Sequence, residues 1–179
     1  MILDESGRSQ KPSVRRTWAP RGKTPVLKHR FNWKRLAITG ALALSPARDR
    51  LRFFLSVKPG SVDSLSVVAF LRSLRRHVRG RVLLLWDRLS AHISGPTKAW
   101  LATQRHWLRV EHLPAYAPEL NPLEYCWSNL DAHELANFAP DDMGALQVAV
   151  RRGARRIRRN PKLMKGFLKH SPLFQRMSL

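Results

Sequence analysis

"RVLLLWD", residues 81–87, is a continuous apolar run that ends on a carboxylate. Such a run predicts a strand buried on both faces of a sheet, because a strand with one solvated face alternates apolar and polar residues. Before it, apolar residues recur at the spacing of one helical face, and Gly80 is expected to end that helix. These residues are Val67, Phe70, Leu71, Leu74 and Val78. After it, a helix over about 96–105 is expected to start at Pro96.

The remaining apolar segments complete an α/β pattern. The runs at 35–44 and 50–57 predict an antiparallel pair, and "WLRVEHL" (107–113) predicts the last strand. "MIL" at 1–3 predicts the end of a first strand. The polar stretch 5–33 predicts a long loop or an irregular hairpin, because prolines and a glycine interrupt it. The expected fold is a mixed sheet of about five strands flanked by helices.

The charge balance indicates a polyanionic partner. The 179-residue chain carries 33 Lys and Arg against 12 Asp and Glu, a formal charge of +21. For a soluble protein with this charge, the commonest polyanionic partner is nucleic acid. Residues 1–35 and 139–179 each hold ten basic residues and two acids, so the two ends are expected to grip DNA.

Other features favour a cytoplasmic, nucleoid-associated protein without a membrane partner. The longest uncharged run, 36–47, is much shorter than the roughly 20 apolar residues of a membrane span. "MILDESGRSQ" (1–10) does not resemble a signal peptide. A single cysteine, Cys126, fits a reducing compartment and is expected in the core beside Trp127.

Acids are scarce, and three of them occupy informative positions. Asp4 and Asp87 each follow an apolar run, at the expected carboxyl ends of two strands, where ligand sites of α/β sheets gather. Glu124 falls in the first turn of a predicted helix with Asn121 as N-cap and Pro122 as first residue. Its buried stripe is Leu123, Trp127 and Leu130. If the first strand lies beside the fourth, the three carboxylates converge on one edge.

Three carboxylates in a very basic protein point to metal-assisted phosphoryl transfer. Hard cations such as Mg²⁺ prefer oxygen ligands and keep phosphate oxygens among them. Two ions about 3.5–4 Å apart activate the attacking oxygen and stabilise the leaving one.

Each of these residues also has a structural interpretation. Asp87 could simply end a strand, Asp4 could be a surface acid, and Glu124 could complete a capping box with Asn121. His92, five residues after Asp87, fits a structural or hydrogen-bonding histidine better than a ligand. The tryptophans are expected to be core or loop anchors: Trp18, Trp33, Trp86, Trp100, Trp107 and Trp127.

A final helix over about 141–159 combines an apolar face with an arginine face. Its apolar residues are Met143, Leu146, Val150, Ala154 and Ile157. Its candidate DNA-binding residues are Arg151, Arg152, Arg155, Arg156, Arg158 and Arg159. The alternative interpretation is that this arginine face is solvated and does not contact DNA.

Four motifs in this order resemble the catalytic domain of bacterial insertion-sequence transposases of the mariner superfamily, the DDE-type endonucleases. They are "DESG" (4–7), "RTWAPRGKTPVL" (16–27), "LLLWDRLSAH" (83–92) and "LPAYAPELNPLEYCW" (113–127). The resemblance implies a ribonuclease-H-like fold, catalytic and metal-binding roles for the acids, and Mg²⁺ or Mn²⁺ as cofactor, with two ions. It assigns those roles to Asp4, Asp87 and Glu124, so that Glu124 would both cap a helix and bind metal.

The resemblance also implies partners: transposon ends and target DNA, with a homodimer assembled on the DNA. Two positions depart from the family pattern: Arg88 stands where asparagine is usual, and Asp131 stands where a basic residue is common. The family also has a fuller first strand than "MIL" and a helix-turn-helix region before it. We therefore expect a truncated first strand and a separate upstream helix-turn-helix frame. The expected division is a catalytic core over 1–137 and a basic helical segment over 138–179.

Three other classes remain open from the sequence. A non-catalytic basic DNA-binding remnant would not need the three acids. A ribonuclease-H-type nuclease would share the fold and metals but not strand transfer. A membrane-surface binder is disfavoured, because the arginine-rich helix lacks large aromatic residues on its apolar face.

Overall fold

A five-stranded mixed sheet forms the centre of the protein. The structure, a computed structural model, describes residues 1–29 and 34–175. Its strands are β1 (Ile2–Ser9), β2 (Arg35–Leu44), β3 (Leu51–Pro59), β4 (Val82–Trp86) and β5 (Leu108–His112). Their order across the sheet is β3-β2-β1-β4-β5. β1, β2 and β3 are antiparallel, whereas β4 pairs in parallel with both β1 and β5. The predicted mixed sheet of about five strands is confirmed.

Helices cover both faces of this sheet. They are α1 (Ser64–His77), α2 (Ser90–Ile93), α3 (Gly95–Thr103), α4 (Pro122–Ala132), α5 (Met143–Arg158) and α6 (Pro161–His170), with a 3-10 turn at Pro118–Leu120. Helices α1 to α3 lie on one face, and α4 to α6 lie on the other. Two helices are not predicted by the sequence pattern: α2 is too short to show a period, and α6 restarts at Pro161 directly after α5.

The alternation of β1 distributes its side chains between two cores. Leu3 packs with the α1 residues Val67 and Leu71 on one face. Ile2, on the other face, belongs to the core formed by α4, α5 and α6, which includes Trp127. Since successive strand residues point to opposite faces, Asp4 follows Ile2 toward α4, and Glu5 follows Leu3 toward α2.

Two strand predictions need correction. The prediction of a long loop or irregular hairpin over residues 5–33 is wrong for residues 5–9, because every residue from Ile2 to Ser9 pairs with β2 and continues β1. The polar composition hides this strand, and backbone pairing stabilises it. Burial of β4 on both faces is also wrong, because Leu83 is 48% exposed. Helices α4 to α6 pack on β1, β2 and β3 and leave this side of β4 more open.

The tryptophans fall into different environments. Trp86, Trp107 and Trp127 are core residues as predicted, and Cys126 is buried beside Trp127. Trp18 is fully exposed, so its prediction as an anchor is wrong. Trp33 lies outside the described residues. Among the helices that the structure describes, none combines the length and apolarity needed to cross a membrane.

Candidate active site

The register of β1 on β4 brings two of the three acids to one level. The parallel pairing places Ile2 opposite Leu85. Asp4 lies two residues after Ile2 in β1, and Asp87 lies two residues after Leu85, directly after the end of β4, so the two acids stand at the same level of the two chain segments. The expected neighbourhood of the first and fourth strands is thus confirmed. Asp4 does not end its strand, contrary to the prediction, but lies inside β1, because β1 continues past the end of β4.

A tryptophan connects Asp4 to α4. The indole Nε1 of Trp127 donates a 2.6 Å hydrogen bond to Oδ2 of Asp4, and both residues are buried. Gly40 of β2, which pairs with Asp4, leaves the space that the ring fills. A Cβ at Gly40 would lie 2.5 Å from Cη2 of Trp127. A glycine in β2 therefore helps to seat the helix that follows β5.

Glu124 lies on the same face of α4 as Trp127. It precedes Trp127 by three residues, about one helical turn, so its exposed side chain neighbours the Asp4 contact. Asn121 caps α4, since its Oδ1 accepts a 3.1 Å bond from the amide of Leu123. The capping-box alternative is wrong, because the amide of Asn121 donates to the carbonyl oxygen of Pro118 instead. Glu124 is not needed for the cap.

The electrostatics of Asp4 reflect crowded negative charge. Burial raises the pKa of Asp4 to about 7, although the bond from Trp127 opposes this shift. Repulsion from Glu124, Glu5 and Asp87 raises the pKa further. A cation at this position would relieve the repulsion, so the electrostatics and the oxygen donors both suit a hard divalent ion.

Asp87 is held by hydrogen bonds from the chain that follows it. Oδ1 of Asp87 lies 2.8 Å from Nδ1 of His92 and accepts a 2.9 Å bond from the amide of Leu89. The bond from His92 is the main cause that lowers the pKa of Asp87. Asp87 is half-exposed and negatively charged at neutral pH.

His92 connects Asp87 to β1. Its buried ring places Nε2 3.0 Å from Oε1 of Glu5. Burial lowers the pKa of His92, but hydrogen bonds to Asp87 and Glu5 outweigh it and raise the pKa to about 9. One ligand atom from each of the three residues lies within 4.8 Å of the others, a spacing compatible with a metal ion. Both ring nitrogens already contact carboxylates, so His92 fits the hydrogen-bonding interpretation.

The arginines of α5 separate into two groups. Arg151, Arg152, Arg155 and Arg159 are exposed. Arg156 instead forms an ion pair with Glu134, with Nε 2.5 Å from Oε1, and also bonds Asn129. Arg158 donates from Nε to the carbonyl oxygen of Phe53 at 2.9 Å. These two candidate DNA-binding residues therefore have structural contacts within the protein.

Residues that sequence reasoning did not select also shape the site. Arg8 binds Asp131 through two bonds of 2.8 and 3.0 Å and thereby ties the end of β1 to α4. The contact accounts for an acid at position 131. Glu5 is likewise not among the predicted site residues, although its place next to Asp4 in an alternating strand indicates a side chain on the opposite face.

The fold and the site together define a class of protein. A β3-β2-β1-β4-β5 sheet with one acid in β1, one directly after the adjacent β4, and a third on the helix after β5 describes a ribonuclease-H-like core. A family model described as "DDE superfamily endonuclease" matches residues 1–147. The chain belongs to this family of DDE superfamily endonucleases.

Solved structures of Mos1 transposase are similar in fold to this chain. The mariner Mos1 paired-end complex with Mg matches at a TM-score of 0.64 and 18% identity, over 97% of this chain and 52% of that chain. The paired-end complex with the left transposon end matches at 0.60 and 18%, over 95% and 53%. The Mos1 catalytic domain matches at 0.54 and 17%, over 95% and 80%. The chain thus spans about half the length of the chains in the two complexes. A comparison with curated proteins found no match.

Proposed function

We propose that this chain is the catalytic domain of a transposase of the bacterial insertion-sequence branch, which cuts DNA and joins the released 3′-hydroxyl to target DNA. The observation that carries the proposal is the register that sets Asp4 level with Asp87. The hydrogen bond from Trp127 to Asp4 also joins β1 to α4, the helix whose first turn carries Glu124. These contacts support a site at one edge of the sheet to which three oxygen-donor side chains from separate parts of the sequence would contribute.

Asp4, Asp87 and Glu124 would hold Mg²⁺ or Mn²⁺, with two ions as the expected number. When bound, such ions activate the attacking oxygen and stabilise the charge that develops on the phosphate. The carboxylates contribute charge and position, while Trp127 fixes Asp4 and His92 fixes Asp87. Support for this role includes the mutual repulsion that a cation would relieve and the Mos1 complexes that contain Mg and Mn.

The exposed arginines of α5 would hold DNA. Helix α5 shares a core with α4, so its arginines lie on the same face of the sheet as Asp4 and Glu124. Contacts to phosphates are independent of sequence and weaken with salt. We assign DNA cleavage and joining to residues 1–137 and DNA binding to the basic segment 138–179. Arg151, Arg152, Arg155 and Arg159 are the preferred contacts.

The Mos1 structures support a proposal for the partners of the whole protein. One of them is a paired-end complex with the left transposon end, and this chain matches about half of the protein chain in it. We propose that this domain works as a homodimer on the ends of its own element, at nucleoid DNA in the cytoplasm. A separate helix-turn-helix frame would recognise those ends.

A plasmid-nicking assay tests the catalytic proposal. The 179-residue chain is incubated with supercoiled plasmid in Mn²⁺, and open circles are quantified for the wild type, Asp87→Asn and Glu124→Gln. Each variant keeps the size of its side chain and removes one negative charge. We expect nicking by the wild type, loss of nicking in both variants, and DNA affinity equal to or higher than that of the wild type.

The rival classes give different results in the same assay. A wild type that binds plasmid but does not nick it, even with an end-recognising partner, identifies a DNA-binding remnant. Nicking without joining of a labelled 3′-hydroxyl end to target DNA identifies a nuclease. Nicking by Glu124→Gln at the wild-type rate would exclude Glu124 from the site.

A further inference from the structure

Asp4 lies in β1 and Asp87 directly follows β4, but these two neighbouring strands share little backbone pairing. Their parallel register contains one pair, Ile2 with Leu85, and the amide of Leu85 donates to Met1. By contrast, β1 pairs with β2 along its whole length, and all five residues of β4 pair with β5. At the level of Asp4 and Asp87, therefore, the relative position of the strands depends on contacts other than the backbone ladder.

A side-chain bridge crosses this gap. Nδ1 of His92 lies 2.8 Å from Oδ1 of Asp87, and Nε2 lies 3.0 Å from Oε1 of Glu5. The bridge thus joins the residue next to Asp4 in β1 with the acid that follows β4. Glu5 and Asp4 point to opposite faces, so the bridge supports β1 from the side opposite Trp127.

The bridging ring is fixed by its surroundings. The imidazole of His92 is buried and stacks on Trp86, with centroids 4.0 Å apart and an interplanar angle of 9°. The side chain of Glu5 is also buried, at 7% exposure. The bond between His92 and Glu5 is therefore buried, and it restricts the movement of both side chains more than an exposed ion pair does, because water competes less for its hydrogen bonds.

The bonds on Asp87 leave one oxygen for a ligand. Both His92 and the amide of Leu89 contact Oδ1. Among the described residues, Oδ2 has no hydrogen-bond donor, so it remains free to bind a cation. In metal sites, hydrogen bonds that orient a ligand in this way are worth about 10- to 100-fold in metal affinity.

We propose that Glu5 and His92 are positioning residues, which hold Asp87 beside Asp4 so that the two acids can bind the same metal site. The inference rests on the proposed function, since it requires Asp87 to be a metal ligand. It assigns His92 the role of a connector between Glu5 and Asp87. A direct role for His92 as a ligand would require the ring to release one of its two carboxylates.

Mn²⁺ binding by the full chain tests this role. Electron paramagnetic resonance measures free Mn²⁺ in titrations of the wild type, Glu5→Ala, Glu5→Gln and His92→Gln. The fold of each is checked by circular dichroism at a temperature below its melting transition. We expect Glu5→Ala and His92→Gln to weaken binding about 10- to 100-fold. Glu5→Gln, which restores an acceptor for His92, should recover a large part of that loss.

His112→Gln is the matched control, because His112 contacts the backbone carbonyl oxygen of Asp87 rather than its carboxylate. This variant should bind Mn²⁺ as the wild type does. Wild-type affinity in folded Glu5→Ala and His92→Gln would overturn the proposal. Should His92→Gln not fold, Glu5→Ala compared with Glu5→Gln decides the same question, and equal affinities of those two would also overturn it.

Asp87→Asn separates this inference from the proposed function. If wild-type Mn²⁺ binding does not depend on Asp87, the metal site itself is refuted and the bridge has no ligand to position. If binding depends on Asp87 but not on Glu5 or His92, the site stands and the bridge is only structural.

Discussion

The indole nitrogen of Trp127 lies 2.6 Å from Oδ2 of Asp4, across the interface between α4 and β1. This hydrogen bond joins the helix that carries Glu124 to the strand that carries Asp4. The bond therefore serves both packing and the site, because the residue that buries α4 also orients a carboxylate. Its neighbour Gly40 makes the close approach possible.

Trp127→Phe removes the donor and keeps an aromatic ring. We expect the free energy of unfolding to fall by about 1–3 kcal/mol, because a buried oxygen of Asp4 loses its partner. The hydrogen bond lowers the pKa of Asp4, so its removal should also weaken Mn²⁺ binding at neutral pH. Urea denaturation and Mn²⁺ titration measure the two effects.

Trp107→Phe is the control for this substitution. Trp107 is also buried and donates a 2.8 Å bond to Gln104, on the opposite face of the sheet. The Trp107→Phe variant should have a lower free energy of unfolding than the wild type but the same Mn²⁺ affinity. Equal Mn²⁺ affinity in Trp127→Phe and the wild type would contradict a role of the indole in the site.

Gly40→Ala tests the space beneath Trp127. The added Cβ would lie 2.5 Å from the indole ring, which is too close for an unmoved side chain. Overpacking of this kind costs about 1–3 kcal/mol, and we expect Mn²⁺ affinity to fall as Trp127 shifts. Gly7→Ala in β1 is the control, because its added Cβ would have no atom within 4 Å. Thermal melts that show the same decrease in melting temperature for Gly40→Ala and Gly7→Ala would contradict the proposed crowding of Trp127.

The raised pKa of Asp4 predicts a pH dependence of stability in the absence of divalent ions. Its folded-state pKa of about 7 exceeds the ordinary value of 3.8, so the folded chain keeps a proton that the unfolded chain releases. The corresponding stability is fully present below pH 3.8 and is lost as the pH rises to about 7.

Asp4→Asn should remove this part of the pH profile, while Asn can still accept the bond from Trp127. The test measures the free energy of unfolding of the wild type and of Asp4→Asn from pH 4 to 8 and takes the difference at each pH. His92 contributes in a different window, because its stabilisation is lost between its ordinary value of 6.5 and about 9. A difference that stays flat between pH 4 and 7 would show that Asp4 is not perturbed.

The exposed arginines of α5 predict a salt-dependent affinity for DNA. Replacing Arg151, Arg152 and Arg155 with glutamine should reduce the slope of log affinity against log salt by about 0.9 for each phosphate that the variant no longer neutralises. The matched control replaces Arg72, Arg76 and Arg79, which are exposed on or just after α1, on the other side of the sheet. Fluorescence anisotropy with a labelled duplex measures both slopes. Equal slopes for the two variants would mean that α5 does not face DNA.

Much of this architecture could be predicted because its signals are local. Apolar runs located β2 to β5, helical periods located α1, α4 and α5, and Asn121 with Pro122 marked the start of α4. The acids Asp4, Asp87 and Glu124 could be selected because so few acids occur and because each lies near the expected end or start of an element.

The remaining features depend on pairing between distant residues. The full length of β1 is hidden by the polar residues of "ESGRS" (5–9), which become a strand only when β2 pairs with them. The exposure of Leu83 depends on which strands α4 to α6 cover. The partners of Arg156 and Arg158 lie 22 and 105 residues away, so no local pattern separates these two arginines from Arg151, Arg152, Arg155 and Arg159.

The position of bound Mn²⁺ tests the central claim most directly. Crystals of the full chain soaked in MnCl₂ would give anomalous difference peaks that locate the ions. We expect a peak within ligand distance of Asp4 and Asp87, with Glu124 bound to the same ion or to its neighbour. A peak held by Glu5 and His92 without Asp4, or Mn²⁺ bound only at distant surface acids, would contradict the assignment of Asp4, Asp87 and Glu124 as the metal site.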